Sequence, residues 1–191
     1  MGKKISQYTE LATNPNDNDE LLLELASSGA YRRVKYSNLK AVGAVVQEVG
    51  NTISAVATGT TVLPHDDTTP QNTEGIEAMT QAITPKATAN ILEIEAIIHC
   101  SNTVANNITA ALFQDTTADA LNAISVYQAT ATGMVILHLI HRVAAGTTSS
   151  TTFKIRVGGA SAGTTTINGT GGNRLFGAIA KSSLIIREYK A

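Results

Sequence analysis

Along the second half of the chain, apolar and polar positions alternate with the two-residue period of a β-strand. In the stretch ILEIEAIIH (91–99), Leu92, Ile94 and Ala96 fall on one face and Glu93 and Glu95 on the other, the pattern of a strand with one buried side. Segments 108–114, 123–129, 134–143, 151–157, 164–167 and 183–189 are β-rich in the same way, and Gly, Ser, Thr and Asn separate them. Short strands at such regular spacing predict an all-β fold, an antiparallel β-sandwich, over residues 76–191. One predicted strand breaks the alternation. In MVILHLI (134–140), Val135, Leu137 and Leu139 occupy one face, and Met134, Ile136 and Ile140 the other, with His138 among them. A second apolar face needs a cover, and with few helices to supply it, a subunit interface is the economical source. The plainer reading is a strand buried under its own loops.

Upstream, the pattern is less regular. Val42, Val45, Val46 and Val49 recur at three- and four-residue spacing, which predicts a short helix ending at Gly50. Thr, Ala and Val then alternate over 51–63, a predicted strand, and HDDTTPQNTEG (65–75) is a loop by its Pro, Asp, Asn and Gly content. Residues 41–75 are therefore expected to form a linker carrying a helix and a strand. A further single helical turn over DTTADAL (115–121), capped by Asp115, is expected between two strands. Residues 1–40 read as an attachment arm. The loop NPNDNDE (14–20) leads into the apolar run Leu21–Leu25, a Gly29 turn and the basic-aromatic run Tyr31, Arg32, Arg33, Val34, Lys35, Tyr36, which together suit a β-hairpin. Forty residues cannot bury enough surface to stand alone, so this piece is expected to dock on something else.

Composition sharpens these readings. The 191 residues carry a net charge of −1, only 15% are charged, and about one in seven is Thr. A soluble domain ordinarily has about 25% charged residues, so the chain exposes less charged surface than a monomer of this size should. Near-neutrality gives no footprint for nucleic acid or an anionic membrane. The first residues, MGKKISQYTE, lack the apolar region of a secretory signal. A single cysteine supports neither a disulfide framework nor a Cys-based zinc site.

Candidate chemistry is sparse. Gly159-Ala160-Ser161-Ala162-Gly163 matches the G-x-S-x-G pattern, but that motif requires a strand-to-helix turn, and strands are predicted on both sides here. His138 and His141 would share a helix face, whereas on a strand they point to opposite sides and cannot chelate one metal. Adjacent side chains at His99-Cys100 diverge in the same way, leaving Cys100 as a buried thiol. His65-Asp66-Asp67 falls short of the oxygen cage that calcium takes. No enzyme activity and no cofactor or metal is expected.

The stretches HDDTTPQNTEGIEAMTQAITP (65–85), LFQD (112–115), TTFKIRVGG (151–159), TINGT (166–170) and RLFGAIAKSSLIIREY (174–189) resemble a domain of virion structural proteins of tailed bacteriophages. ISQYTELATNPNDNDELLLELASSGAYRRVKYSNL (5–39) similarly resembles the N-terminal attachment segment of phage fibres and decoration proteins. The resemblance implies a trimeric, jelly-roll-like head. Its expected trimer interface comprises Met134, Ile136, His138, Ile140, Phe176 and Ile186. Its expected attachment surface comprises Leu21, Leu23, Leu25, Tyr31, Arg32, Arg33, Lys35 and Tyr36. About 35 residues between arm and head are short for a fibre shaft. The implied function is a homotrimeric capsid decoration (cement) protein, bound to the major capsid protein or another virion protein on the outer head surface after assembly in the host cytoplasm. The alternative is a tail fibre that recognises a host glycan or protein.

Overall fold

A computed structural model describes residues 43–191 and the backbone of Glu20–Glu24 and Tyr31–Lys35. The chain divides into two units, Met1–Ala44 and Val45–Ala191. In the first, β1 (Glu20–Glu24) and β2 (Tyr31–Lys35) pair antiparallel, with Glu20 opposite Lys35 and Glu24 opposite Tyr31. This is the hairpin that the apolar and basic-aromatic runs predict.

The second unit is built from β3 (Val45–Ile53), β4 (Ala57–Gly59), β5 (Ile76–Ile83), β6 (Ile91–Asn102), β7 (Asn107–Gln114), β8 (Asn122–Tyr127), β9 (Val135–Ala144), β10 (Thr151–Gly159), β11 (Thr165–Ile167), β12 (Gly169–Thr170), β13 (Asn173–Arg174) and β14 (Ser182–Tyr189). All named pairings are antiparallel. One sheet has the order β3-β14-β6-β9, with β11 and β4 continuing beside the far end of β6; the other has the order β5-β10-β7-β8. Numbered along their eight principal strands, the sheets run first-eighth-third-sixth and second-seventh-fourth-fifth. That is the strand order of a jelly roll, so the chain is an antiparallel β-sandwich of the class its alternation predicts.

Alternation along the strands places the core. Leu92, Ile94, Ala96 and Ile98 of β6, Leu137 and Leu139 of β9, and Leu184 and Ile186 of β14 face Ile108, Ala110 and Leu112 of β7 and Phe153, Ile155 and Val157 of β10 in one cluster. A smaller cluster lies outside the second sheet. There Leu63 packs on Ala111 and Phe113, and the segment between β4 and β5 is strapped across by Leu63 N–H to Gly159 O (3.1 Å) and Gly75 N–H to Val62 O (3.0 Å). Gly75 sits at φ +61, and a Cβ there would come within 2.8 Å of Val157 O, so the strap's return requires glycine.

Two expectations are corrected. The helix expected to end at Gly50 is strand β3, whose residues pair with β14 from Ile53–Ser182 to Val45–Tyr189. Valine spacing satisfies both periods, and a full antiparallel ladder with a β-branched strand decides the contest. Residues 45–53 are thus an integral strand of the sandwich and no linker. The turn expected over 115–121 is not helical either. Asp115 has φ +51, and its carboxylate caps no helix; it accepts from Thr152 N–H (2.7 Å) and Thr151 Oγ1 (2.9 Å) across the neighbouring strand.

Candidate functional site

The outward side of the β3-β14-β6-β9 sheet carries rows of side chains set by register. Glu95 stands between Ile185 of β14 and Ile140 of β9, and Glu93 between Arg187 and Arg142. Arg187 pairs across β3 with Glu48. Because these are direct cross-strand neighbours, their side chains meet. Arg187 Nε donates to Glu48 Oε2 at 2.8 Å and Nη1 to Glu95 Oε2 at 2.8 Å. His138 Nε2 lies 3.0 Å from Glu95 Oε1. Arg142 Nε donates to Glu93 Oε2 at 2.6 Å, and its guanidinium lies 5.3 Å from the centre of the Tyr189 ring. Tyr189 Oη donates to Glu93 Oε1 at 3.1 Å.

The electrostatics follow from these contacts. The Arg187 hydrogen bond holds the Glu95 carboxyl below its ordinary value, and the Arg142 hydrogen bond does the same for Glu93, in each case against a smaller opposing effect of burial. Arg187 is raised in turn, by Glu95 first and Glu48 second. Every charged side chain in these central rows is tied to another on the same face. Beside this network, Ile136 and Ile140 flank His138 along β9 and remain 54% and 52% exposed. A half-apolar surface whose charged side chains are already paired with one another can be covered by another protein without stranding an unpartnered ion.

Of the residues expected at the interface, Ile136, His138 and Ile140 share this face, and Met134, half-buried, immediately precedes β9. Ile186 is a correction. It points inward, is 0% exposed and belongs to the core, because the phase of β14 sends Ile185 and Arg187 outward instead. Phe176 lies off the sheets in a 3-10 turn at Phe176–Ala178 and is 68% exposed. Leu21, Leu23, Tyr31, Arg32, Arg33 and Lys35 lie on the paired backbone of the hairpin, while Leu25 and Tyr36 fall outside the described residues. The ion network was missed in the sequence, although Glu93, Glu95, Arg142 and Arg187 all occupy the outward phase of their strands.

The other motifs are quiet. His141 faces inward, opposite in phase to His138, and burial lowers its pKa. The G-x-S-x-G segment joins β10 to β11 with no helix after it. Cys100 is buried, and desolvation pushes its thiol up to about 12. Asp66 accepts from Thr68 N–H and Oγ1 in a local turn. Among the described residues, no group of three or more His, Cys, Asp or Glu is placed to hold a metal.

Fold and site together define an eight-stranded jelly-roll domain whose one sheet offers a half-apolar face with its charged side chains paired. The chain belongs to the family of the Pgp3 C-terminal domain, whose model matches residues 67–191. Strand β3, which completes the sheet bearing this face, lies ahead of the matched span. No curated protein matches the chain. Among solved structures, the VP2 subviral particle of infectious bursal disease virus is 12% identical, with a TM-score of 0.33, over 91% of this chain and 43% of that one. The structure of the Gx strain of the same virus is 14% identical, with a TM-score of 0.34, over 91% and 42%. The chain spans less than half the length of either.

Proposed function

We propose that the chain is a non-enzymatic virion structural protein of a tailed phage, a homotrimer that decorates the outer surface of the expanded head. The β-sandwich supplies self-association and the N-terminal hairpin supplies attachment to the major capsid protein or another virion protein. The observation that carries this reading is the outward face of β9. It leaves Ile136 and Ile140 half-exposed around His138, while the neighbouring charged side chains are paired within the chain. Burying that face in a second and third copy removes apolar surface from water at little electrostatic cost. An isoleucine-rich exposed strand with no such use would be an aggregation liability.

Attachment through three copies of one arm multiplies a modest affinity, and a clamp that binds only the expanded lattice stabilises that state by mass action. The test is removal of residues 1–44. The truncated protein is expected to keep the trimer mass in light scattering and to lose sedimentation with capsids. A monomer mass for the intact chain overturns the self-association, and decoration by the truncated chain overturns the role of the hairpin.

A further inference from the structure

Beneath the end of the β4–β5 strap, on the opposite sheet from the β9 face, lies a cleft of about 270 Å³ lined by Asn72, Glu77, Phe113, Asp115, Thr116, Lys154 and Arg156. Its floor is Phe113, buried beside Lys154 in the β7–β10 pairing. Lys154 and Arg156 are two apart on β10 and therefore project to the same side. Arg156 is fixed in place: Nε donates to Glu74 O at 2.7 Å and Nη2 to Gly75 O at 2.8 Å. Its Nη1 has no acceptor among the described residues. Asn72 is fixed as well, its amide donating to Thr117 O at 3.1 Å.

Two of the lining charges are uncommitted. Among the described residues, neither Lys154 nor Glu77 makes an ion pair or a side-chain hydrogen bond, although they line the same small space. Asp115 differs, because both of its oxygens are engaged by Thr151 and Thr152. The cleft thus presents an unpaired ammonium, a guanidinium edge, an unpaired carboxylate and the hydroxyl of Thr116. The cations match a single carboxylate; Glu77 and Thr116 match hydroxyl groups beside it. The formal charges of the four ionisable side chains cancel, so the cleft has no bulk attraction for a polyanion.

We infer that this cleft binds a carboxylated monosaccharide unit, with its carboxylate on Lys154 and Arg156 Nη1 and its hydroxyls on Glu77 and Thr116. This stands apart from the self-association face and is independent of it. D-glucuronate, D-glucose and acetate are titrated into the full chain, with binding read by calorimetry and by amide shifts in NMR. Saturable glucuronate binding, with shifts at 77, 116, 154 and 156, is expected, along with weaker binding of glucose and of acetate. Lys154→Met is expected to weaken glucuronate about tenfold, the worth of one charge-assisted hydrogen bond. Glu77→Gln is expected to weaken glucuronate and leave acetate unchanged; it also serves should the first variant fail to fold. No saturable glucuronate binding overturns the inference. So does glucose or acetate binding as tightly as glucuronate, or binding unaffected by both substitutions.

Discussion

Arg187 Nη1 stands 2.8 Å from Glu95 Oε2, and Nε of the same guanidinium stands 2.8 Å from Glu48 Oε2 on the opposite neighbouring strand. One side chain on β14 thereby ties β3 to β6 across the outward face. Glu93 lies 3.6 Å from the same Nη1. Arg187→Met leaves these carboxylates facing one another with no central cation. A loss of about 1–2 kcal/mol is expected in urea unfolding at neutral pH. An unchanged midpoint would mean that solvent screens the cluster.

The same contacts fix the sign of the acid response. Glu93 and Glu95 have folded-state pKa values below their ordinary 4.5. Their contribution is therefore complete above pH 4.5 and is lost as pH falls through the lower folded values. His141 is also lowered, from 6.5, by burial. For a base, a depressed folded value means the unfolded chain takes up the proton first, so its contribution fades from pH 6.5 downward. Melting temperature between pH 8 and 3 should show a shallow decline below 6.5 and a steeper one below 4.5. His141→Gln should remove only the upper component.

Ile140 and Ile186 separate surface from core. Ile140→Lys places a charge where the side chain is already half in water and directly opposite Glu95, and folded stability should stay within about 0.5 kcal/mol of the parent. On the trimer reading, its light-scattering mass falls to that of a monomer. Ile186→Ala opens a cavity among Leu184, Ile94 and the facing sheet, and should cost about 2–5 kcal/mol without altering the mass of the folded fraction.

Cys100 should resist alkylation. With the thiol buried and raised to about 12 by desolvation, the thiolate that reacts is scarce at neutral pH. Iodoacetamide labelling of the native protein at pH 8 is expected to be negligible, and complete once urea unfolds the chain. Rapid native labelling would show that the β6 end opens readily.

Strands with clean alternation were legible from the sequence. Residues 91–99 and 183–189 foretold β6 and β14 because one face of each is core and the other partly wet, and 108–114 foretold β7, which is buried on both faces because Leu63 covers Ala111 and Phe113 on its outer side. Strand β5 was not foretold. Its sequence IEAMTQAI mixes Ala, Gln and Glu among few branched residues, and its β character comes from the ladder with β10. In β3, the valines fitted helix and strand alike, and only pairing with β14, more than a hundred residues away, chose between them. The face of β9 was readable in outline, since MVILHLI is apolar on both sides. Ile186 was misassigned because a phase error of one residue exchanges outside for inside. The Lys154 cleft was invisible, since it depends on the strap bringing Asn72 to β7 and β10.

Strand β14, the last strand of the sandwich, lies in the interior of its sheet, hydrogen-bonded to β3 on one side and β6 on the other. Until residue 189 emerges from the ribosome, β3 has no strand to pair with and the core lacks Leu184 and Ile186. The domain therefore cannot fold progressively as it is made. It must wait in an open state and close in one step around its final strand. The row in which Glu93 and Glu95 meet Arg187 is thereby completed only when β14 docks, so the outward face gains its ion pairs in the same step that closes the core.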